Sequence, residues 1–280
     1  METKSPKEQK IEGIILSFVD DIVERYTDGD DLPRRLVETL LHNPQVEAIQ
    51  DYANNVSITR MGLNDHGPVH MKIVCCNALR VLSLLHAAGV ETSLEREQAG
   101  SFADSVSAVI LASLLHDCGM SIARKGHELY SGIIAHSIIK EVLQCVLPDA
   151  SDVMRRTVIG SVALEGIVGH MGTNPIHSIE AGIILVADGC DMTKGRARIP
   201  LEIPTRPAEG DIHKYSAGSI EKVWIRKGED HPVKIEVQMK SEVGFFQVEE
   251  VLIPKLQSNP AKPFIELYAG VEGQEVKRYL

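Results

Sequence analysis

Aromatic side chains are scarce, at 4% of the chain with a single tryptophan, which leaves the core to Leu, Ile, Val and Ala packed between helices. The five cysteines are odd in number and show no CxxC spacing, and Cys75 and Cys76 are adjacent. Neither a disulfide framework nor a thiolate zinc site is indicated, and the cysteines are expected to fill core positions. Surplus positive charge is also lacking. Lys and Arg total 29 against 39 Asp and Glu, a net charge of -10, which argues against a general nucleic-acid binder. The longest apolar runs, such as AVILASLL at 108–115, fall far short of a membrane span. METKSPKEQKIEG at the N-terminus has no hydrophobic stretch beside its charges. A cytoplasmic protein without membrane attachment is the expectation.

What is present is helical periodicity. IEGIILSFVDDIVERY, PRRLVETLLH, VHMKIVCCNALRVLSLLHAAG, ADSVSAVILASLLHDCG, HELYSGIIAHSIIKEVLQCVL and SDVMRRTVIGSVALEGIVGH place apolar residues at i, i+3, i+4 and i+7. Gly89 and Gly119 fall where helix stops are expected, and Pro68 suits a first turn. Beyond about residue 200 the pattern changes. SIEKVWIRKG and PVKIEVQMK alternate as strands around a GEDHP turn, FFQVEEVLIPKLQ reads as a helix and PFIELYAG as a last strand. The prediction is a mainly α protein: a helical bundle over 1–204 followed by a small α+β unit over 205–280. So small a sheet needs its edges covered, either by the bundle or by a second subunit, and a homodimer is expected.

Polar groups interrupt this greasy framework in a particular order. SLLHDCGM, residues 113–120, ends an apolar run with His116 and Asp117, which one apolar helix face cannot absorb together. A metal ion would accommodate both; alone, the dipeptide reads first as a capping or hydrogen-bonded pair at a helix end, and only the other polar residues below shift the balance. NDHGPVHMKIV adds His66 and His70, KGHELYSGIIAH adds His127, EGIVGHMGTN adds His170 and ILVADGCDM adds Asp188. In chain order these give H, HD, H, H, D. Pro68 at the first helical turn leaves His66 in the preceding loop, close to His70 without sharing its face. It could donate a proton, cap the helix or hydrogen-bond to a neighbour.

Basic residues flank these positions, with Arg124 and Lys125 after Asp117, and Lys194, Arg196 and Arg198 after Asp188. Arg196 and Arg198 are candidates to clamp phosphate oxygens, since a guanidinium forms bidentate contacts, whereas Lys125 and Lys194 read as solvated surface. His42, His86, His136 and His231 are expected to be structural. His177, Glu180 and His213 could support the site from behind.

The ordered set over roughly residues 60–200 resembles the HD superfamily of metal-dependent phosphohydrolases, which are all-helical enzymes. The resemblance implies that His70, His116, Asp117 and Asp188 hold one divalent metal, and that His127 and His170 match the extra histidines of members that hold two. Imidazole with carboxylate suits Fe, Mn, Zn or Co. The HxxxH spacing of His66 and His70 is similar to that of cyclic nucleotide phosphodiesterases, although Gly67, Pro68 and Val69 depart from their pattern.

The implied activity is hydrolysis of a phosphate ester, a nucleotide-like phosphomonoester or phosphodiester, by a metal-activated water. Asp117 would bridge the metals, His66 would protonate the leaving group, and Arg196 or Arg198 would hold the phosphate. Two alternatives stand beside it. One is an HD-type di-iron oxygenase, and the other is a metal-stabilised module that is not an enzyme and binds a regulator or partner chain.

Overall fold

A computed structural model of the chain describes residues 4–193, 216–257 and 259–280. Helix α1 (Pro6–Tyr26) starts where the Ser5 side chain accepts the Glu8 N–H and Pro6 fills the first turn, and its Ile11, Ile15, Val19 and Ile22 form one buried stripe. Helices α2 (Leu32–Leu41) and α3 (Pro44–Asn55) follow, α3 capped by the Asn43 side chain. Helix α4 (Pro68–Ala87) closes at Gly89, which adopts φ +78 as a left-handed stop requires. The short α5 (Ser93–Arg96) and the longer α6 (Phe102–Leu115) each open on a capping box, Thr92 with Glu95 and Ser101 with Asp104.

Helix α6 is the axis of the bundle, with all 14 of its residues buried. Helices α2, α4, α8 (Val153–Gly169) and α9 (Ile179–Gly189) surround it, and α7 (His127–Val146) packs on α8. This explains why α6 lacks a polar face: a helix covered on every side has no solvent to meet. Among the described residues two helical stretches, Pro68–Ala87 and Phe102–Ser121, are long and apolar enough to cross a membrane, but 61% and 100% of their apolar windows lie inside the protein.

The C-terminal part is the expected small α+β unit. Strands β1 (Ile220–Lys227), β2 (Val233–Met239), β3 (Ile265–Val271) and β4 (Lys277–Arg278) lie in the order β1-β2-β3-β4. β1 and β2 form an antiparallel hairpin, and β2 pairs in parallel with β3 through a connection that contains a helical stretch over 245–257. Strand β2 alternates as a half-buried strand should, sending Val233, Ile235, Val237 and Met239 inward, and β1 packs on α4. The expected strands and helix are all present; helix α3 and β4, only two residues long, are among the elements added to those expected from the sequence. The expected boundary at 204/205 lies outside the described residues.

Candidate metal centre

The cluster is assembled from helix ends. His70 lies in the first turn of α4, His116 and Asp117 follow α6, His127 opens α7, His170 closes α8 and Asp188 lies in the last turn of α9. All six are buried, with exposures of 0% for His116 and 7% for Asp188 at the extremes.

Gly119 makes this convergence possible, for a reason that differs from the sequence-based one. It is not a left-handed helix stop, since it is absent from the glycines with positive φ. A Cβ there would sit 2.1 Å from the His127 carbonyl oxygen and 2.5 Å from the Ser131 nitrogen. Only glycine lets the turn after Asp117 touch the start of α7, and the Gly119 N–H donates to the Ser131 hydroxyl at 2.8 Å.

Each of four imidazoles has its Nδ1 against an oxygen acceptor. His116 Nδ1 lies 2.9 Å from the Ser113 carbonyl, His127 Nδ1 2.9 Å from the Arg124 carbonyl, and His170 Nδ1 2.7 Å from the Ile167 carbonyl. His70 Nδ1 lies 2.7 Å from Asp191 Oδ2. These acceptors assign the proton to Nδ1 and leave a lone pair on each Nε2. The Nε2 atoms then meet in pairs, His70 with His116 at 3.2 Å and His127 with His170 at 3.1 Å.

Carboxylates close on the same points. Asp117 Oδ2 lies 3.2 Å from His70 Nε2 and 3.5 Å from His116 Nε2, while its Oδ1 lies 3.2 Å from His127 Nε2 and 3.4 Å from His170 Nε2. Asp188 Oδ1 lies 3.3 Å from His70 Nε2 and 3.9 Å from His116 Nε2. Facing lone pairs and carboxylate oxygens repel unless a cation lies between them. Donors around a divalent ion at about 2.1 Å stand roughly 3.0–3.4 Å apart, which matches most of these separations. The donor set therefore fits a metal ion, and both His70–His116–Asp188 and His116–Asp117–His170 could hold one.

The electrostatics agree with that use. Burial outweighs the neighbouring carboxylates at His116 and pushes its pKa down to about 3, so the ring is neutral and free to coordinate. Burial alone would raise the carboxyls of Asp117 and Asp188. At Asp117 positive charge on the neighbouring imidazoles, His116 and His66 first, offsets it, the place a bound cation takes when those rings are neutral; at Asp188 the Lys255 ammonium does so first. Both are held well below the usual carboxylate range.

His66 lies beside the cluster. It is buried, its ring centroid is 5.9 Å from that of His70, and its Nδ1 lies 2.6 Å from the Asn64 carbonyl. Arg196, Arg198, Lys194 and His213 lie outside the described residues. Glu180 is not behind the site: it accepts the Ser93 and Leu94 N–H groups and the Ser105 hydroxyl. His42 bonds within its helix end and His86 stacks on Phe102, both structural as expected.

Sequence reasoning missed two residues. Asp191 accepts from His70 and fixes its ring, and its i+3 spacing from Asp188 was the available signal. Lys255, from the Ile253–Gln257 helix, contacts Asp188 Oδ2 and donates to the His170 carbonyl at 3.1 Å. A single lysine in an amphipathic stretch carries no such signal.

Fold and cluster together define a helical protein with a buried His/Asp group able to hold metal. The chain is 37% identical over 244 residues to the Uncharacterized protein MJ1020 of Methanocaldococcus jannaschii, covering 87% of this chain and 91% of that protein. It belongs to the same family as that protein. No family model matches the chain, and no solved structure matches it.

Proposed function

We propose that the chain is a phosphohydrolase of the HD type, holding two divalent transition metals and cleaving a phosphate ester of a small, nucleotide-like substrate. The observation that carries this reading is the pairing of four inward Nε2 atoms around one carboxylate. His70 and His116 with Asp188 form one half, His127 and His170 the other, and Asp117 offers one oxygen to each. Nitrogen and carboxylate donors without thiolate suit Fe, Mn, Zn or Co.

Bound there, such ions supply Lewis acidity toward a phosphoryl oxygen and acidify water near neutral pH. The chain's own residues orient and move protons. Asp191 and the carbonyls of Ser113, Arg124 and Ile167 hold the four rings so that their lone pairs converge. His66, tethered at Nδ1 and next to His70, would hand the departing oxygen the Nε2 proton of its doubly protonated ring and return to the neutral form. Arg196 and Arg198 are proposed as the phosphate clamp.

The test is elemental analysis of purified protein followed by a phosphate-release screen across nucleotides and simple phosphate esters with Mn or Co added. About two metals per chain and phosphate release are expected. Oxygen consumption without phosphate release would assign the site to an oxygenase instead, and a metal-loaded protein inert in both assays would leave a metal-stabilised scaffold.

A further inference from the structure

Lys255 belongs to the C-terminal unit, yet it is only 8% exposed and its ammonium lies at the metal centre. Burying an ammonium is costly unless it is paired, and packing alone would be served by Leu or Met. Its partners are the two halves of the cluster: Asp188 Oδ2, and the carbonyl of His170 at 3.1 Å. Asp188 thus uses one oxygen for Lys255 and turns the other, Oδ1, toward His70 at 3.3 Å.

The segment that delivers Lys255 is seated on α9 at two glycines. A Cβ on Gly189 would lie 3.0 Å from Leu252 Cδ1 and 3.2 Å from Lys255 Cδ, and one on Gly182 would lie 2.3 Å from Asn259 Oδ1. Asn259 Nδ2 donates to the Gly182 carbonyl at 2.9 Å and to the Lys255 carbonyl at 3.2 Å. The helix that carries Asp188 and the segment that carries Lys255 are therefore in register, and β3 follows after a 3-10 turn at Lys262–Phe264.

We propose that Lys255 is a positioning residue through which the C-terminal unit sets the geometry of the metal centre. It pins Asp188 so that a single oxygen is offered, and it ties that ligand to the end of α8 where His170 lies. This rests on the proposed metal binding. The sheet unit is on this view part of the centre.

The test strips full-length protein of metal and titrates it with Co(II), following visible absorption and total metal content, for wild type, K255M, K255Q and K255R. The uncharged variants should lose about 10–100-fold in affinity at one class of site. Their Co(II) spectrum should change as the released carboxylate becomes able to bind through both oxygens. The loss should be largest at the site that Asp188 serves, and K255R should recover most of it. Uncharged variants that fold and bind Co(II) with wild-type affinity and spectrum would overturn the proposal. If both fail to fold by circular dichroism while K255R folds and binds as wild type, Lys255 serves stability alone, which equally overturns it. A wild type that takes up no metal would overturn the metal reading itself.

Discussion

Asp117 Oδ1 lies 3.2 Å from His127 Nε2, at the same distance that separates its Oδ2 from His70 Nε2. One carboxylate therefore serves both imidazole pairs, and it can do so only with two equivalent, charged oxygens. Asn supplies one oxygen and an amide that would point a donor at the opposite pair. Replacing Asp117 with Asn should lower bound metal from about two to at most one per chain by elemental analysis, and phosphate release should fall by at least ~10³-fold, a loss of about 4 kcal/mol in transition-state stabilisation. Asp191→Asn is expected to be milder, about 10–100-fold in metal affinity, because it loosens the His70 ring without removing a ligand. Equal effects from the two variants would contradict the assigned roles.

Metal removal should also cost stability. The facing Nε2 pairs at 3.2 and 3.1 Å leave lone pairs opposed inside a dry core, and a cation between them relieves the repulsion only in the folded chain. By mass action, a ligand present at 100 times its Kd adds about 2.7 kcal/mol per site. Chelated protein is expected to melt several degrees lower by calorimetry, to recover with Mn, Co, Fe or Zn, and to respond little to Ca, which prefers all-oxygen sites. A melting temperature indifferent to chelation would count against the site.

His66 can be separated from the ligands by experiment. Its loop is held by the Asn54 side chain, which accepts the His66 N–H at 3.3 Å, and a Cβ on Gly67 would lie 2.4 Å from Asn54 Cβ. His66→Gln should retain full metal content while turnover falls about 10²–10⁴-fold for substrates with poor leaving groups. The loss should nearly vanish for p-nitrophenyl phosphate, whose leaving group needs no proton. Gly67→Ala should mimic it in part, since the loop must shift away from Asn54. A uniform loss across leaving groups would show that His66 acts in some other way.

The helices and the ligand order were legible because both leave local marks. A buried stripe such as Ile11, Ile15, Val19 and Ile22 repeats at the helical period, and His116 with Asp117 stands out against the apolar run that precedes it. Lys255 left no such mark: its burial depends on Gly182 and Gly189 opening a seat on α9, a fact of tertiary packing with no sequence period. Gly119 was visible as a glycine but for the wrong reason, because close approach and a left-handed turn call for the same residue. Asp191 left only its spacing of three from Asp188, a mark that any helix-end carboxylate can show without touching His70.

The C-terminal sheet offers a prediction that does not depend on metal. Glu266 on β3 is fully buried and accepts the N–H groups of Glu229 and Asp230 in the β1–β2 turn at 3.0 and 3.1 Å. Burial pushes its carboxyl upward, but the backbone donors of Glu229, Asp230 and His231 prevail, so its pKa lies below the ordinary value. A carboxyl depressed on folding stabilises the protein above its unfolded pKa, about 4.3, and that contribution fades as pH falls through this value toward the folded one. Glu266→Gln should therefore cost about 1–3 kcal/mol at pH 7 in urea unfolding, the expected loss when charged hydrogen bonds become neutral ones. The gap between variant and wild type should narrow between about pH 5 and pH 3, because wild-type Glu266 loses the same charge on protonation. A gap constant across that range would mean that the turn is held by packing and that the charge on Glu266 is incidental.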